Sequence, residues 1–139
     1  MTLIPWALVS CAAAAFVSLA LLYAGGEPLS AEDASGFAVF AFFPALLMCA
    51  ASYAPGLFWL RRRVGGCRPA YLFPVFSATL LNLPAAAVLA AGLLLGNFSG
   101  AGEVAVFLPA YVAAGLIFGL GFLRHCRRAE VRGRVSEVS

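Results

Sequence analysis

The chain has 139 residues, of which 63% are hydrophobic and 11% are charged, and its net charge is +3. A soluble domain carries about 45–50% apolar and about 25% charged residues, so this composition excludes an ordinary water-soluble domain. The positive charge comes from nine arginines, without a lysine. They lie beside apolar stretches, a position typical of membrane anchors rather than of a nucleic-acid interface.

The apolar residues form four uncharged stretches, each close to the roughly 20 residues that cross a bilayer as a helix. We therefore predict an all-α membrane protein in which four transmembrane helices form one compact up-down bundle. The predicted helices cover residues 3–24, 37–60, 71–95 and 104–123, and a basic cytoplasmic tail covers residues 124–139. We expect this polar tail to fray.

The composition of the first stretch favours a retained transmembrane helix over a cleaved signal peptide. A signal peptide places a basic segment before a hydrophobic stretch of about 7–15 residues. Here only Thr2 and the amino terminus precede a longer stretch. Gly25 and Pro28 predict the end of this helix, because glycine forms C-terminal turns and proline blocks continuation. The residues up to Gly36 are then an acidic loop.

Prolines interrupt the second and third stretches, at Pro44, Pro55, Pro74 and Pro84. In a membrane bundle they are tolerated as kinks, since neighbouring helices satisfy the released carbonyl groups. Tyr53 and Trp59, near the end of the second stretch, predict an aromatic belt at headgroup level.

The loop after the third stretch contains Asn97-Phe98-Ser99, which matches a glycosylation sequon. The use of arginine without lysine and the high content of alanine and glycine indicate a GC-rich bacterial genome. In such a source the match is accidental.

The distribution of arginine predicts the orientation in the membrane. Four arginines lie in the loop after the second stretch and five follow the fourth, whereas the other two loops hold none and contain four of the six acidic residues. The positive-inside rule therefore predicts an inner or plasma membrane protein with both termini in the cytoplasm. The predicted headgroup and topology anchors are Arg61, Arg62, Arg63, Arg68, Arg124, Arg127 and Arg128.

Asn82 is the strongest polar group inside an apolar stretch, and it lies near Thr79 and Pro84. An unsatisfied amide in hydrocarbon costs several kcal/mol, so Asn82 must find partners. One interpretation is that Thr79, Asn82 and Pro84 mark a broken helix lining an intramembrane polar site. The alternative, which we favour, is a hydrogen bond between helices that contributes about 0.6–2 kcal/mol.

Small residues recur at helical spacing and predict the faces on which the helices pack. Membrane helices associate through close approach at such residues, because lipid tails are as apolar as leucine. The predicted packing glycines are Gly56, Gly92, Gly96, Gly115 and Gly119.

The four cysteines predict no disulfide framework. Cys11 and Cys49 lie inside apolar stretches, whereas Cys67 and Cys126 lie among the arginines, on the side assigned to the reducing cytoplasm. We therefore expect no bridge between Cys67 and Cys126. His125 is the single histidine, and with two cysteines it supplies fewer than the four ligands of a structural zinc site. We predict no catalytic residue, metal or cofactor.

Three functional hypotheses follow. The leading one is a non-enzymatic accessory, assembly or immunity-type subunit that packs against another membrane protein or against itself, with lipid as its other partner. The alternative is a homo-oligomeric transporter, lipid flippase or channel for a neutral or lipid-like solute. The absence of ionisable groups within the stretches argues against proton-coupled transport. A weak repeat, in which Ala38-Val39-Phe40 recurs as Ala105-Val106-Phe107, suits such an assembly. The third is an interfacial enzyme using His125 and Cys126.

Overall fold

A computed structural model describes residues 3–26, 30–96 and 101–138, and for residues 101–103 and 132–138 it describes the backbone alone. The protein is all-helical, with 88% helix and no strand among the described residues. Four of its helical segments are long and apolar enough to cross a membrane, which confirms this part of the predicted fold. The acidic residue Glu27, Pro28 and the sequon at Asn97 lie outside the described residues.

In the described part of the chain, six α-helices build the four membrane-length segments, because two of the segments are interrupted. The first and last segments are continuous, the second contains a π-helical segment at Cys49–Tyr53, and the third contains a 3₁₀ turn at Leu80–Asn82. The α-helices are α1 (Ile4–Ala24), α2 (Ala31–Met48), α3 (Ala54–Val64), α4 (Leu72–Ala78), α5 (Leu83–Leu94) and α6 (Ala101–Val138).

Helix α2 begins at Ala31, within the stretch that the sequence predicts to be a loop. The Ser30 side-chain oxygen accepts a hydrogen bond from the backbone N–H of Asp33 at 3.1 Å, which caps the helix. Glu32 and Asp33 lie in the first turn, where negative charge interacts favourably with the helix dipole. The acidic residues therefore start a helix.

The second segment changes register at Cys49–Tyr53, directly before Pro55. Proline lacks an N–H and its ring collides with the carbonyl four residues earlier, so Pro55 disfavours a regular α-helix at this point. A π turn absorbs one extra residue in the helix and moves that carbonyl aside. Pro44 lies within the continuous helix α2.

The third segment breaks at Thr79, whose backbone angles of −109° and −82° lie outside the helical region. Pro84 occupies the first turn of α5, where a missing N–H costs nothing. The N–H of Asn82 bonds to the carbonyl of Thr79 at 3.1 Å instead of to that of Ala78. The break therefore releases the Ala78 carbonyl inside an apolar bundle.

Helix α6 is the centre of the fold. It packs mainly against α1 and α4, while α2 packs mainly against α1. Of the apolar window in α6, 56% is buried, against 17–33% in the other three segments. Its buried Phe122 has a ring centroid 5.8 Å from that of Phe73 in α4 and 5.0 Å from that of Phe58 in α3. Helix α6 therefore contributes more of the core contacts than any other helix.

Three of the predicted packing glycines lie where two helices approach closely. A Cβ added at Gly115 would lie 2.6 Å from the backbone oxygen of Ser77, and one at Gly119 would lie 2.5 Å from the Cα of Pro74. A Cβ at Gly56 would lie 2.9 Å from a methyl group of Leu81.

The other two predicted glycines lie elsewhere. Gly92 is half-buried on α5. Gly96 lies beyond the end of α5 with a φ of +71°, and a Cβ there would meet nothing within 4 Å. Gly96 therefore forms the left-handed turn that ends the segment rather than a contact between helices. Gly121, which we did not single out for this role, packs against the Trp6 ring.

The predicted tail is helical, since α6 continues past residue 123 to Val138. Arginine and glutamate have high helix propensity, so these polar turns extend a helix that is already nucleated by its buried part. The extension carries Cys126 and Glu130 on the same helix as the membrane segment. The arginine loop after α3 turns at Gly65, which has a φ of +73°.

The contact between α4 and α6 predicts different outcomes for two Gly→Ala substitutions. Gly115→Ala should destabilise the protein by about 1–3 kcal/mol, because its Cβ collides with backbone atoms that cannot rotate away. Gly36→Ala in α2 is the matched control: its Cβ meets nothing within 4 Å, and alanine raises helix propensity by up to about 1 kcal/mol. Thermal unfolding of both variants in mild detergent measures the difference. Equal midpoints would contradict the close approach.

Candidate functional site

Asn82 lies at the break in the third segment and is 3% exposed. Its side-chain oxygen accepts a hydrogen bond from the Tyr53 hydroxyl. Its amide nitrogen lies 2.9 Å from the carbonyl oxygen of Ala78, 3.3 Å from that of Ser77 and 3.2 Å from that of Tyr111. The amide nitrogen therefore donates a hydrogen bond to the Ala78 carbonyl, which the break leaves without its helical partner. It also reaches the Tyr111 carbonyl of α6.

These bonds connect three of the four membrane segments. Tyr53 belongs to the π-helical segment, Asn82 to the 3₁₀ turn and Tyr111 to α6. The Tyr53 hydroxyl also lies 3.1 Å from the Tyr111 carbonyl, so its single hydrogen has two acceptors within reach. Two serines add further bonds: Ser77 donates to the Gly115 carbonyl at 2.5 Å, and Ser52 donates to the Leu81 carbonyl at 2.8 Å.

The network is saturated. Among the described residues, no buried side-chain nitrogen or oxygen lacks a hydrogen-bond partner. A polar site that binds a solute needs donors or acceptors directed into a cavity. Asn82 instead uses both ends of its amide within the protein, as expected of a bond between helices.

The side chains of Thr79 and Pro84, which the sequence groups with Asn82, do not bond to the Asn82 side chain. The Thr79 hydroxyl donates to the Val75 carbonyl of its own helix at 2.7 Å, and its side chain is exposed. Pro84 is exposed and acts through the backbone, at the start of α5.

The partners of Asn82 were not predicted. Tyr53, assigned by the sequence to a headgroup belt, is fully buried and bonded to Asn82, so that assignment is wrong, whereas Trp59 is 57% exposed. Tyr53 and Asn82 are 29 positions apart, as are Asn82 and Tyr111. Periodicity within one helix carries no signal for such contacts.

Cys67 and Cys126 form a disulfide, so the prediction of two free thiols here is wrong. Their Cα atoms are 6.2 Å apart, within the range that a disulfide spans. The turn at Gly65 folds the loop back onto α6, where Cys126 is fully buried. Cys11 and Cys49 remain free thiols, buried in the first two membrane-length segments.

Glu130 completes a cluster with these two cysteines. It lies four residues after Cys126, on the same face of α6, and its Oε1 accepts a hydrogen bond from the backbone N–H of Cys67 at 3.1 Å. The two sulfur atoms and a carboxylate oxygen of Glu130 all lie within 4.8 Å of one another. His125, the sequence candidate beside Cys126, is half-buried and does not belong to this cluster. Glu130 was not predicted because its turn of helix was expected to fray.

Four of the predicted arginine anchors surround this cluster. Arg61 and Arg62 line a cavity of about 550 Å³, and Arg68 and Arg127 line a neighbouring one of about 290 Å³. Glu130 lines both cavities. The Glu130 carboxylate therefore lies at one end of the molecule among arginines from α3, from the loop that follows α3 and from α6.

The other three anchors differ in their surroundings. The Arg124 guanidinium lies over the Trp6 ring at 5.9 Å, which ties α6 to the start of α1. Arg63 and Arg128 are exposed.

Comparison of the chain with models of protein families, with curated protein sequences and with solved structures finds no match.

The polar network predicts that Asn82→Leu lowers stability more than Thr79→Val does. Asn82→Leu removes the bonds between segments and leaves the Ala78 carbonyl without the Asn82 amide, at a cost of about 1–3 kcal/mol, while the Tyr53 hydroxyl keeps the Tyr111 carbonyl as an acceptor. Thr79→Val removes only a bond within one helix, on an exposed face. Thermal unfolding in detergent measures both.

A double-mutant cycle with Tyr53→Phe isolates the bond itself. We expect a coupling energy of about 0.6–2 kcal/mol between Tyr53 and Asn82. Additive effects of the two substitutions would contradict the bond.

Proposed function

We propose that the chain is a multi-pass protein of a bacterial inner membrane, folded as an up-down bundle with both termini in the cytoplasm. The arginine distribution supports this orientation through the positive-inside rule. The meeting of Arg61, Arg62, Arg68 and Arg127 at one end of the molecule supports it as well, because these charges can then lie together at one membrane surface.

Two reporter fusions test this orientation. A reporter that functions only in the cytoplasm should be active behind Ser139 and inactive when inserted between Gly96 and Ala101, because one membrane segment separates the two positions. The opposite pattern would invert the orientation, and equal activity at both positions would contradict a crossing by α6.

We further propose that the protein acts without catalysis, by packing against a transmembrane helix of another membrane protein. The observation that carries this proposal is an apolar groove of about 270 Å³ between α1 and the π-helical segment. Its walls include Ile4 and Leu8 on one side and Leu46 on the other, and Phe118 of α6 forms part of its lining.

The groove has the features that helix association in lipid requires. Ala7 lies on one wall and Ala50 and Ala54 lie on the other, so a helix backbone can approach closely. No charged or hydrogen-bonding side chain other than the Cys49 thiol lines it. Apolar burial alone does not separate a protein partner from lipid, so we infer a helix of another protein from the three alanines, since close approach at small residues is what favours association between helices in lipid.

The transporter alternative has less support. The polar network around Asn82 has no unpaired group, and the cavities beside the arginines lie at one end of the bundle. The rings of Phe40 and Phe107, which the sequence repeat makes equivalent, have centroids 5.3 Å apart. This contact suits a duplicated helical hairpin, but it provides no route for a solute.

Site-specific photo-crosslinking in native membranes tests the groove. A photoreactive residue in place of Ala50 should give an adduct with another membrane protein. The same residue in place of Val88, which is 70% exposed on α5, is the matched control and should give none. Ala7→Phe, which fills the groove, should reduce the Ala50 adduct at least several-fold.

An adduct with twice the mass of the chain would show that the groove binds a second copy of the chain instead of another protein. Equal adduct yields at positions 50 and 88, or no protein adduct at either position, would contradict the proposal.

A further inference from the structure

We propose that Cys67, Cys126 and Glu130 bind a thiophilic divalent cation, of which Zn²⁺ is the probe, when the two cysteines are reduced. The three donor atoms come from two parts of the chain: Cys67 from the loop between α3 and α4, and the other two from α6. All three lie within 4.8 Å of one another. This inference rests on the proposed orientation, which places the cluster in the cytoplasm.

A zinc site requires the two sulfur atoms to move apart by roughly 1.7 Å on reduction, because a disulfide holds them about 2.0 Å from each other. With Zn–S bonds of about 2.3 Å and Zn–O bonds of about 2.0–2.2 Å, tetrahedral ligands lie roughly 3.5–3.8 Å apart. The carboxylate therefore has to move by about 1 Å at most, which a glutamate side chain accommodates by rotation. Cys126 and Glu130 are four residues apart on α6, a spacing that directs both side chains to one face.

The Glu130 carboxylate is already oriented. Its Oε1 accepts the backbone N–H of Cys67 at 3.1 Å, so the other oxygen remains available to a metal. Hydrogen bonds of this kind hold ligating carboxylates in position in metal sites. The same bond keeps the loop that carries Cys67 against α6 when the disulfide is absent.

The charges of the ligands and of the neighbouring arginines also favour binding of a divalent cation. Two thiolates and one carboxylate carry −3, and a divalent cation leaves −1. Arg68 and Arg127, which line the adjoining cavity with Cys67 and Glu130, offset that remaining charge. The cavity, of about 290 Å³, has room for a water molecule as the fourth ligand, as in zinc sites with three protein ligands.

The cytoplasm supplies the reduced state. A cytoplasmic dithiol transfers two electrons and two protons to the Cys67–Cys126 bond, becoming a disulfide itself and leaving two thiols. Binding of the cation then releases both thiol protons. Disulfides are rare in this compartment, and paired cysteines there more often bind metal or react.

Metal titration of the purified full chain in detergent tests the site. The protein is reduced with a phosphine and titrated with Co²⁺, whose thiolate charge-transfer absorption reports sulfur ligation, and Zn²⁺ then competes for the site. We expect one metal per chain. Cys67→Ser and Cys126→Ser should each abolish the absorption.

Glu130→Gln should weaken binding by about tenfold or more. Its amide oxygen can still accept the Cys67 N–H, so this variant keeps the fold if a cysteine variant does not. Cys49→Ser removes a thiol elsewhere and His125→Ala removes the neighbouring imidazole. Both controls should bind as the wild type does.

Three results would overturn the proposal: no absorption in the reduced wild type, binding unchanged by Glu130→Gln, or an intact Cys67–Cys126 disulfide when cells are quenched with acid and alkylated. The titration does not depend on membrane orientation, and the reporter fusions do not depend on the cysteines. Failure of the site and failure of the proposed orientation are therefore distinguishable.

Discussion

The fold depends on how the backbone groups released by a broken helix find partners inside an apolar bundle. A lipid bilayer offers no water to a free carbonyl, so every backbone group released by a break needs a partner from the protein. The break at Thr79 releases the Ala78 carbonyl. The amide nitrogen of Asn82, four residues later, donates a hydrogen bond to that carbonyl. The same amide reaches Tyr53 and Tyr111, so the group that repairs the break also joins three segments.

The break has a second consequence for packing. Close approach of α4 to α6 places Ser77 beside Gly115 and Gly119, where any larger residue would collide. The Ser77 hydroxyl then bonds to the Gly115 carbonyl at 2.5 Å. Because apolar burial contributes little free energy to the association of helices in lipid, close packing and a few hydrogen bonds hold such helices together. The most buried segment is accordingly the one with the glycines that face α4.

The sequence predicts the parts of this fold that depend on composition and run length. Four apolar stretches of about 20 residues predict four helices of membrane-spanning length, as the described part of the chain has. The start of α2 at Ala31 was missed because a cap at Ser30 acts over one turn, whereas hydropathy averages over many. The course of α6 beyond residue 123 was missed because a polar helix on the far side of a membrane segment has no apolar signature.

The site was predicted only in part, for a reason that lies in geometry. Asn82 stands out by its chemistry, since one amide in an apolar stretch must be bonded. Tyr53 does not stand out, because a tyrosine near the end of such a stretch is usual at a membrane surface. The Cys67–Glu130 contact joins residues 63 positions apart, and it exists only because a glycine turn meets an extended helix.

The side of the membrane on which the arginines lie determines the redox state expected of Cys67 and Cys126. If the arginine end faces the cytoplasm, as its charge favours, reduction competes with the Cys67–Cys126 bond, and the two thiols are left beside the Glu130 carboxylate. If that end faced outward, the disulfide would be the resting state and would fix the loop to α6 covalently. The Cys67 N–H bond to Glu130 involves neither sulfur atom, so breaking the disulfide does not in itself remove it. The contact between the loop and α6 therefore has one component that depends on the redox state of the cysteines and one that does not.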